Sequence, residues 1–347
     1  NHGEWGSAFY TESGFTSDEA NISFKNSSFT NHMNLSGQGI VYFNRYSNRE
    51  VIIDSCTFSK NSVQNDYGVI GIDFKGARTV RISNSDFIDN NYSIKSYSTS
   101  FIPSDIGLTL DNVLIYNDSN TSPSKAMRLY TGGNCCLNLN INNSTLVGDI
   151  LIDGDADEIK VKNTTFSLYG TPLSVNGDSI IIDNSTFIGN SNYTKDNPLI
   201  KHSSGPLVIS NSSIQSNGYV IYNSNNASFV SAINNYWGDS SGPYHPSQNT
   251  TGKGDSTNAY VNVDPWLTAP NTDAPPIPAQ NLTLTGSTAT SASFSWGVSK
   301  MGDIAGYKLY YGTPTGYSYV TVVISSHNLL QLKDPYCKGH IFHKHFF

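Results

Sequence analysis

The chain has 347 residues, of which 37% are hydrophobic, 12% aromatic and 14% charged, and its formal net charge is -7. That apolar and aromatic content excludes a disordered chain, and the negative balance argues against nucleic acid or an anionic membrane as partner, since both need a basic face. No apolar run approaches the roughly 18 residues of a membrane span, and no signal peptide opens the chain, so a soluble mature form or an excised fragment is expected.

Asn is the commonest bias, with 39 copies against three Met. Helix formers are scarce, and short stretches of Ile, Val, Phe and Leu bounded by Asn, Ser, Asp and Gly predict many short strands. The four cysteines (Cys56, Cys135, Cys136 and Cys337) form neither a disulfide framework nor a CxxC pair.

From the N-terminus, one phrase recurs: alternating apolar residues, then Asn, two small polar residues and an apolar residue. It runs Phe24-Lys25-Asn26-Ser27-Ser28-Phe29, Ile53-Asp54-Ser55-Cys56-Thr57-Phe58 and Ile82-Ser83-Asn84-Ser85-Asp86-Phe87, and returns with its marker at Asn112, Asn143, Asn163, Asn184, Asn211 and Asn234. Between markers lie about 20 to 31 residues, the spacing of a solenoid coil with variable surface loops. Asn at a fixed corner tolerates left-handed backbone and can bond the Asn one coil away. The apolar residues of the phrase should stack inside. The pattern predicts an all-β chain: a right-handed parallel β-helix solenoid of about nine coils. Over roughly residues 1–270 the sequence resembles the pectin-lyase-like superfamily of right-handed β-helix proteins. Phe58-Ser59-Lys60-Asn61, Phe87-Ile88-Asp89-Asn90 and Phe187-Ile188-Gly189-Asn190 also look like the FxxN repeats of polymorphic outer-membrane adhesins. The resemblance implies the fold; it does not select among lyases, hydrolases, tailspikes and non-catalytic surface proteins.

Next comes a segment rich in aromatics, Gly and Pro, from Asn235-Tyr236-Trp237-Gly238 to Asp264-Pro265-Trp266-Leu267. It reads as a cap closing the open end of the core, and it is similar to the closing segment of secreted bacterial and archaeal β-helix proteins. Tyr236, Trp237, Tyr244 and Trp266 are the alternative candidates for sugar stacking. Pro270 to Pro278 is a semi-rigid linker. Beyond it, Leu282-Thr283-Leu284, Ala292-Ser293-Phe294-Ser295-Trp296 and Ile304-Ala305-Gly306-Tyr307-Lys308-Leu309-Tyr310-Tyr311-Gly312 resemble the first half of a fibronectin type III module, with no second half to match. The expected organisation is parallel β-helix repeats over 1–232, a cap over 233–269, a linker over 270–280 and a partial fibronectin type III-like β-sandwich segment over 281–347. Cys337, His340, His343 and His345 in the atypical tail are metal-ligand types, although a truncated or shifted reading frame also explains that composition.

Enzymes of this fold bind polysaccharide on the outward face of one stacked sheet. Asp73, Lys95, Arg128 and Asp153 are expected outward on successive coils as one charged column, with Ile72, Phe74, Ile94, Met127, Leu129 and Ile152 pointing inward. Lys95 and Arg128 are the catalytic candidates for β-elimination of a uronic acid, as bases beside a neutralised carboxylate, and Asp73 is a binding candidate. Asp153, Asp155, Asp157 and Glu158 form an acidic turn of hard oxygen ligands suited to calcium; no other cofactor is implied. The Asn-Thr-Asp, Asp-Asp and Gly-His-Gly motifs of polygalacturonases are missing. About 15 Asn-x-Ser/Thr sequons occur, several of them the repeat phrase itself, and exposed ones could carry glycans. The expected function is therefore that of an extracellular or cell-surface protein, structural or adhesive, able to self-associate and to bind polysaccharide or matrix along a flat face. A polysaccharide lyase or glycoside hydrolase acting on an acidic glycan is the alternative.

Overall fold

Each repeat phrase folds as two short strands meeting at a corner. The marker residue of every phrase (Asn26, Ser55, Asn84, Asn112, Asn143, Asn163, Asn184, Asn211 and Asn234) has a positive φ between 48° and 57°. Asn is favoured there because its short amide stabilises left-handed backbone that most side chains avoid. The computed structural model describes residues 8–11, 21–34, 39–43, 50–63, 67–73, 79–97, 106–116, 125–131, 137–168, 173–189, 193–216, 218–224, 228–276, 280–288, 291–297, 307–313, 316–324, 329–333 and 341–343.

The chain divides into two compact units, Asn1–Ala274 and Pro275–Phe347. The first is a parallel β-solenoid, one 24-stranded sheet system in which each strand pairs with strands of neighbouring coils. Every coil contributes to three faces. On the first, Ile53 pairs with Phe24 and Ile82, and the register continues through Leu110, Ile141, Val161, Ile182 and Ile209. The second, beyond the Asn corner, aligns Phe29, Phe58, Phe87, Ile115, Leu146, Phe166, Phe187 and Ile214. Rings in this column lie face to face at 4.8 Å for Phe29–Phe58 and Phe58–Phe87 and 5.0 Å for Phe166–Phe187, the spacing that parallel strands impose. The third face carries Val41, Ile70, Ile94, Met127 and Ile150 inward. Inward residues of all three faces form one continuous core. No single coil could bury such a surface alone.

The corners are held by two columns of side chains. Asn112 donates to Asn84, Asn163 to Asn143 and Asn184 to Asn163, while Asn84, Asn143 and Asn211 donate to Asp54, Asp111 and Asp183. This ladder stands at the surface. One residue further on, a buried hydroxyl column does the interior work: the hydroxyls of Ser85, Ser144, Ser185 and Ser212 accept the backbone N–H of Cys56, Val113, Thr164 and Ser185. Asn235 accepts that of Ser212. In the early coils Asn61 and Asn90 of the FxxN phrases are 1% and 2% exposed and bond each other and the carbonyls of Phe29 and Phe58.

At the far end Trp237 follows Tyr236, which bridges Ser213, and is fully buried with Val261 and Val263. The strand Gly254–Thr257 adds to Tyr219–Asn223, and the Asp255 carboxylate accepts the N–H groups of Ser216 and Gly218 at 2.7 and 2.8 Å. Gly242, at φ 76°, leaves room for the Trp266 indole, which a Cβ would meet at 2.5 Å. The first residues of the proline-rich stretch are not a free linker. Asn271 bonds Asn184, Asn211 and Ser213, and Ala274 is buried.

The second unit consists of two three-stranded antiparallel sheets. One orders Gln280–Ser287, Ser291–Gly297 and Leu329–Lys333, the other Gly316–Ile324, Tyr307–Thr313 and Ile341–His343. Phe294 and Trp296 are buried. Strands thus continue past residue 313, where the sequence offered no matching pattern. Among the described residues no helix is long and apolar enough to cross a membrane.

Candidate functional site

The outward side of the third face carries the chemistry. Register places Tyr42, Gly71, Lys95, Arg128, Leu151, Ser174, Lys201 and Tyr222 in one line across successive coils. Lys95 and Arg128, the two catalytic candidates, are therefore direct cross-strand neighbours. Asp73 and Asp153 do not join them. Asp73 stands opposite Tyr97 and Asp153 opposite Tyr130, two residues along the strand, so the single charged column expected from the sequence is two columns. The intervening loops hid that offset. The side chains of Asp73, Asp153 and Asp155 lie outside the described residues.

A groove of about 380 Å³ opens along this line, and its lining includes Lys125, Arg128, Asp149, Leu151, Ser174, Asp196, Asn197 and Lys201. Its floor exists because strands alternate: Met127, Leu129, Ile150 and Ile152 turn inward and are at most 3% exposed, which leaves Arg128 and Leu151 outward. At one end the Lys95 ammonium sits 5.5 Å from the Tyr67 ring centre and 5.8 Å from that of Tyr92, and Lys125 lies 5.5 Å from Tyr92. Such stacking draws the ammonium groups toward the ring faces. The line ends in Tyr222, paired with Lys201, its ring 6.5 Å from Tyr219; burial, then Tyr222, pushes the Tyr219 phenol upward. Tyr130, two residues from Arg128, is 41% exposed. Outward cations and aromatic rings in a groove that crosses the strands suit a long, flat, anionic chain lying along the solenoid.

The acidic turn is not a turn. Asp153, Asp155, Asp157 and Glu158 belong to the strand Asp149–Lys162, which bends from the third face to the first while its pairing slips between Ile152 and Ala156. Neighbouring coils pair with it on either side of the bend, at Leu151–Ile152 and again from Glu158 to Lys162. Glu158 pairs with Lys160 at 2.7 Å. Among the described residues no three His, Cys, Asp or Glu side chains gather to hold a metal ion. The tail cluster Cys337, His340, His343 and His345 lies outside the described side chains.

In the cap, Trp237 is corrected from stacking candidate to core residue, because a ring with 0% exposure offers no face to a sugar. Tyr236 is half-buried, with its phenol pushed up by desolvation and then by Asp239 and Asp255. Tyr244 is 46% exposed but lies outside the groove lining.

Sequence reasoning missed Lys125, Lys201, Tyr92, Tyr130 and Asp149. A signal existed in the alternation of Ile200-Lys201-His202 and Ile150-Leu151-Ile152. It could not be aligned, because the path from second to third face varies from Gly148 alone to residues 190–199. Comparison with known protein families, curated proteins and solved structures finds no match.

Proposed function

We propose that the chain is a non-catalytic extracellular or cell-surface protein that holds an acidic polysaccharide lengthwise in the groove of its third face. The observation that carries this reading is the line Lys95, Arg128, Leu151, Ser174, Lys201 and Tyr222, which offers cations and a ring along one axis. The repeat phrase and the aromatic cap support kinship with the pectin-lyase-like superfamily and a secreted origin, and the two antiparallel sheets of residues 280–343 suit a fibronectin type III-like appendage. Self-association along the solenoid belongs to the same reading.

The second reading is a lyase acting on an acidic glycan. The cross-strand pairing of Lys95 with Arg128 favours it, because two outward cations on adjacent coils suit a uronate carboxylate and the carbon beside it; calcium at Asp153–Glu158 would then neutralise the substrate. One experiment separates the two: the chain is incubated with a panel of uronic-acid polysaccharides, with and without calcium, and followed for bound polymer, unsaturated products and reducing ends. Retention without cleavage, lost in Arg128→Ala and Lys201→Ala, is expected. Reproducible product that vanishes in Lys95→Ala overturns the non-catalytic reading.

A further inference from the structure

The first face turns apolar on its outward side toward the cap. Its earlier coils carry polar groups there, among them Arg81, Asn140 and Lys160. On the last coils Ile181 pairs with Val208 and Val208 with Ser231, which bridges Asn262. Val230 and Val261, one residue earlier on the last two coils, are 2% and 1% exposed and point inward, so strand alternation turns Phe229 and Tyr260 outward on adjacent coils. These two are 61% and 52% exposed. Exposed Pro206 lies beside them, since the next N–H, that of Leu207, bonds the Phe229 carbonyl at 3.0 Å. The backbone under both rings is fixed by Asn223, which is 1% exposed and donates to the carbonyls of Ser228 at 3.1 Å and Tyr260 at 3.3 Å. Asn258 in turn donates to the Asn223 carbonyl at 2.8 Å. Rings presented on a fixed backbone lose little freedom when a ligand stacks on them.

Size and charge define the occupant. The patch spans four coils, about 14 Å at about 4.8 Å per coil, and two outward positions of a strand, about 7 Å apart. A stable contact with a second copy needs about 800 Å² from each partner, several times what so narrow a strip offers. The cations on the strand beside Ile181 are already matched, Lys160 by Glu158 at 2.7 Å and Lys162 by Asp183 opposite it, so nothing there calls for an anion. A narrow, uncharged rod with flat apolar faces fits instead. β-1,4-linked glucosyl units have that form: their hydroxyls lie equatorial at the rim, their C–H groups cover both faces, and one sugar is close to one coil in length. We infer that Phe229 and Tyr260 are the stacking platform of a second glycan site, on a different face from the groove, which takes uncharged β-1,4-linked sugars against the two rings. The site stands independently of the acidic-polysaccharide reading above.

The test is calorimetric titration of the full chain with cellohexaose, and with maltohexaose, whose α-linked chain coils, as the control. Cellohexaose should bind, and maltohexaose about tenfold more weakly. Phe229→Ala and Tyr260→Ala should each weaken cellohexaose about tenfold with the melting temperature unchanged, since both rings face solvent. Phe229→Trp should retain binding, and Arg128→Ala in the groove should leave it as it is. No binding of cellohexaose, equal binding of maltohexaose, or an affinity unmoved by both alanine variants overturns the inference. So does a dimer seen by light scattering that Phe229→Ala dissolves while cellohexaose leaves it intact, because the patch is then a contact between copies. Failure of every acidic polysaccharide to bind overturns the reading of the groove and leaves this site standing.

Discussion

Asn163 and Asn184 occupy the same left-handed corner one coil apart, at φ 49° and 48°, and Nδ2 of Asn184 donates to Oδ1 of Asn163 at 2.7 Å. Two separate demands meet at this position, one on the backbone and one on the amide.

Substitution separates the two demands. Asn184→Gly keeps the left-handed backbone free of strain and loses only the amide bonds, whereas Asn184→Ala loses both and should cost about 1–2 kcal/mol more. Urea unfolding of the pair measures the difference. Equal losses would show that the ladder, not the corner conformation, is what requires Asn.

The hydroxyl column behind the ladder should matter more per atom. Ser185 is fully buried; its Oγ donates to the Asp183 carbonyl at 2.9 Å and accepts the Thr164 N–H at 3.2 Å. Ser185→Ala leaves that N–H buried without a partner, at a cost of about 1–3 kcal/mol. A melting temperature within error of wild type would place water in the corner.

Asp86 interrupts a column of hydroxyl residues, between Thr57 and Leu114, and burial raises its carboxyl from 3.8 to about 6. Because the folded chain holds this proton more tightly than the unfolded one, the stability linked to it is complete below 3.8 and is lost as pH rises through about 6. Asp86→Thr should therefore stabilise the solenoid at pH 8, by up to about 3 kcal/mol, and do little at low pH. Thermal melts across that range check the sign.

His245 runs the other way. Its ring is fully buried, Nδ1 accepts the N–H groups of Gln248 and Ser247 at 2.9 and 3.2 Å, and burial pushes the imidazole below 6.5. The unfolded chain takes up this proton first, so stability is complete above the ordinary histidine range and falls as pH drops below it. His245→Asn, whose carbonyl can accept the same N–H groups, should flatten that acid slope. An unchanged slope would assign the acid sensitivity to other groups.

The corners were legible in the sequence because left-handed backbone is a demand that few residue types meet, and the same position recurs in every coil. The stacking of Phe58, Phe87 and Phe187 followed from their fixed distance to that corner. Beyond the second face the count fails. Loops of different length intervene before the third, so Lys95 and Arg128 were placed together while Asp73 and Asp153 were assigned two residues off the line. Trp237 was ambiguous for another reason: an indole suits both a sugar platform and the end of an apolar stack, and only its burial decides. Lys201 carried no local sign that it shares a line with Arg128, because Leu151 and Ser174 stand between them.

The anchoring of Asn271 has a mechanical consequence. Its side chain reaches Asn184 on one coil and the Asn211 carbonyl on the next, its backbone N–H meets Ser213, and Asn184 in turn holds the Asp273 carbonyl. Tension applied to the chain beyond residue 274 is thus divided among several bonds on two interior coils and strains them together. A terminus leaving directly from Leu267 would instead be peeled away one bond at a time. The exit of the chain thus works as a cleat, keeping the last coil wound while the rest is pulled.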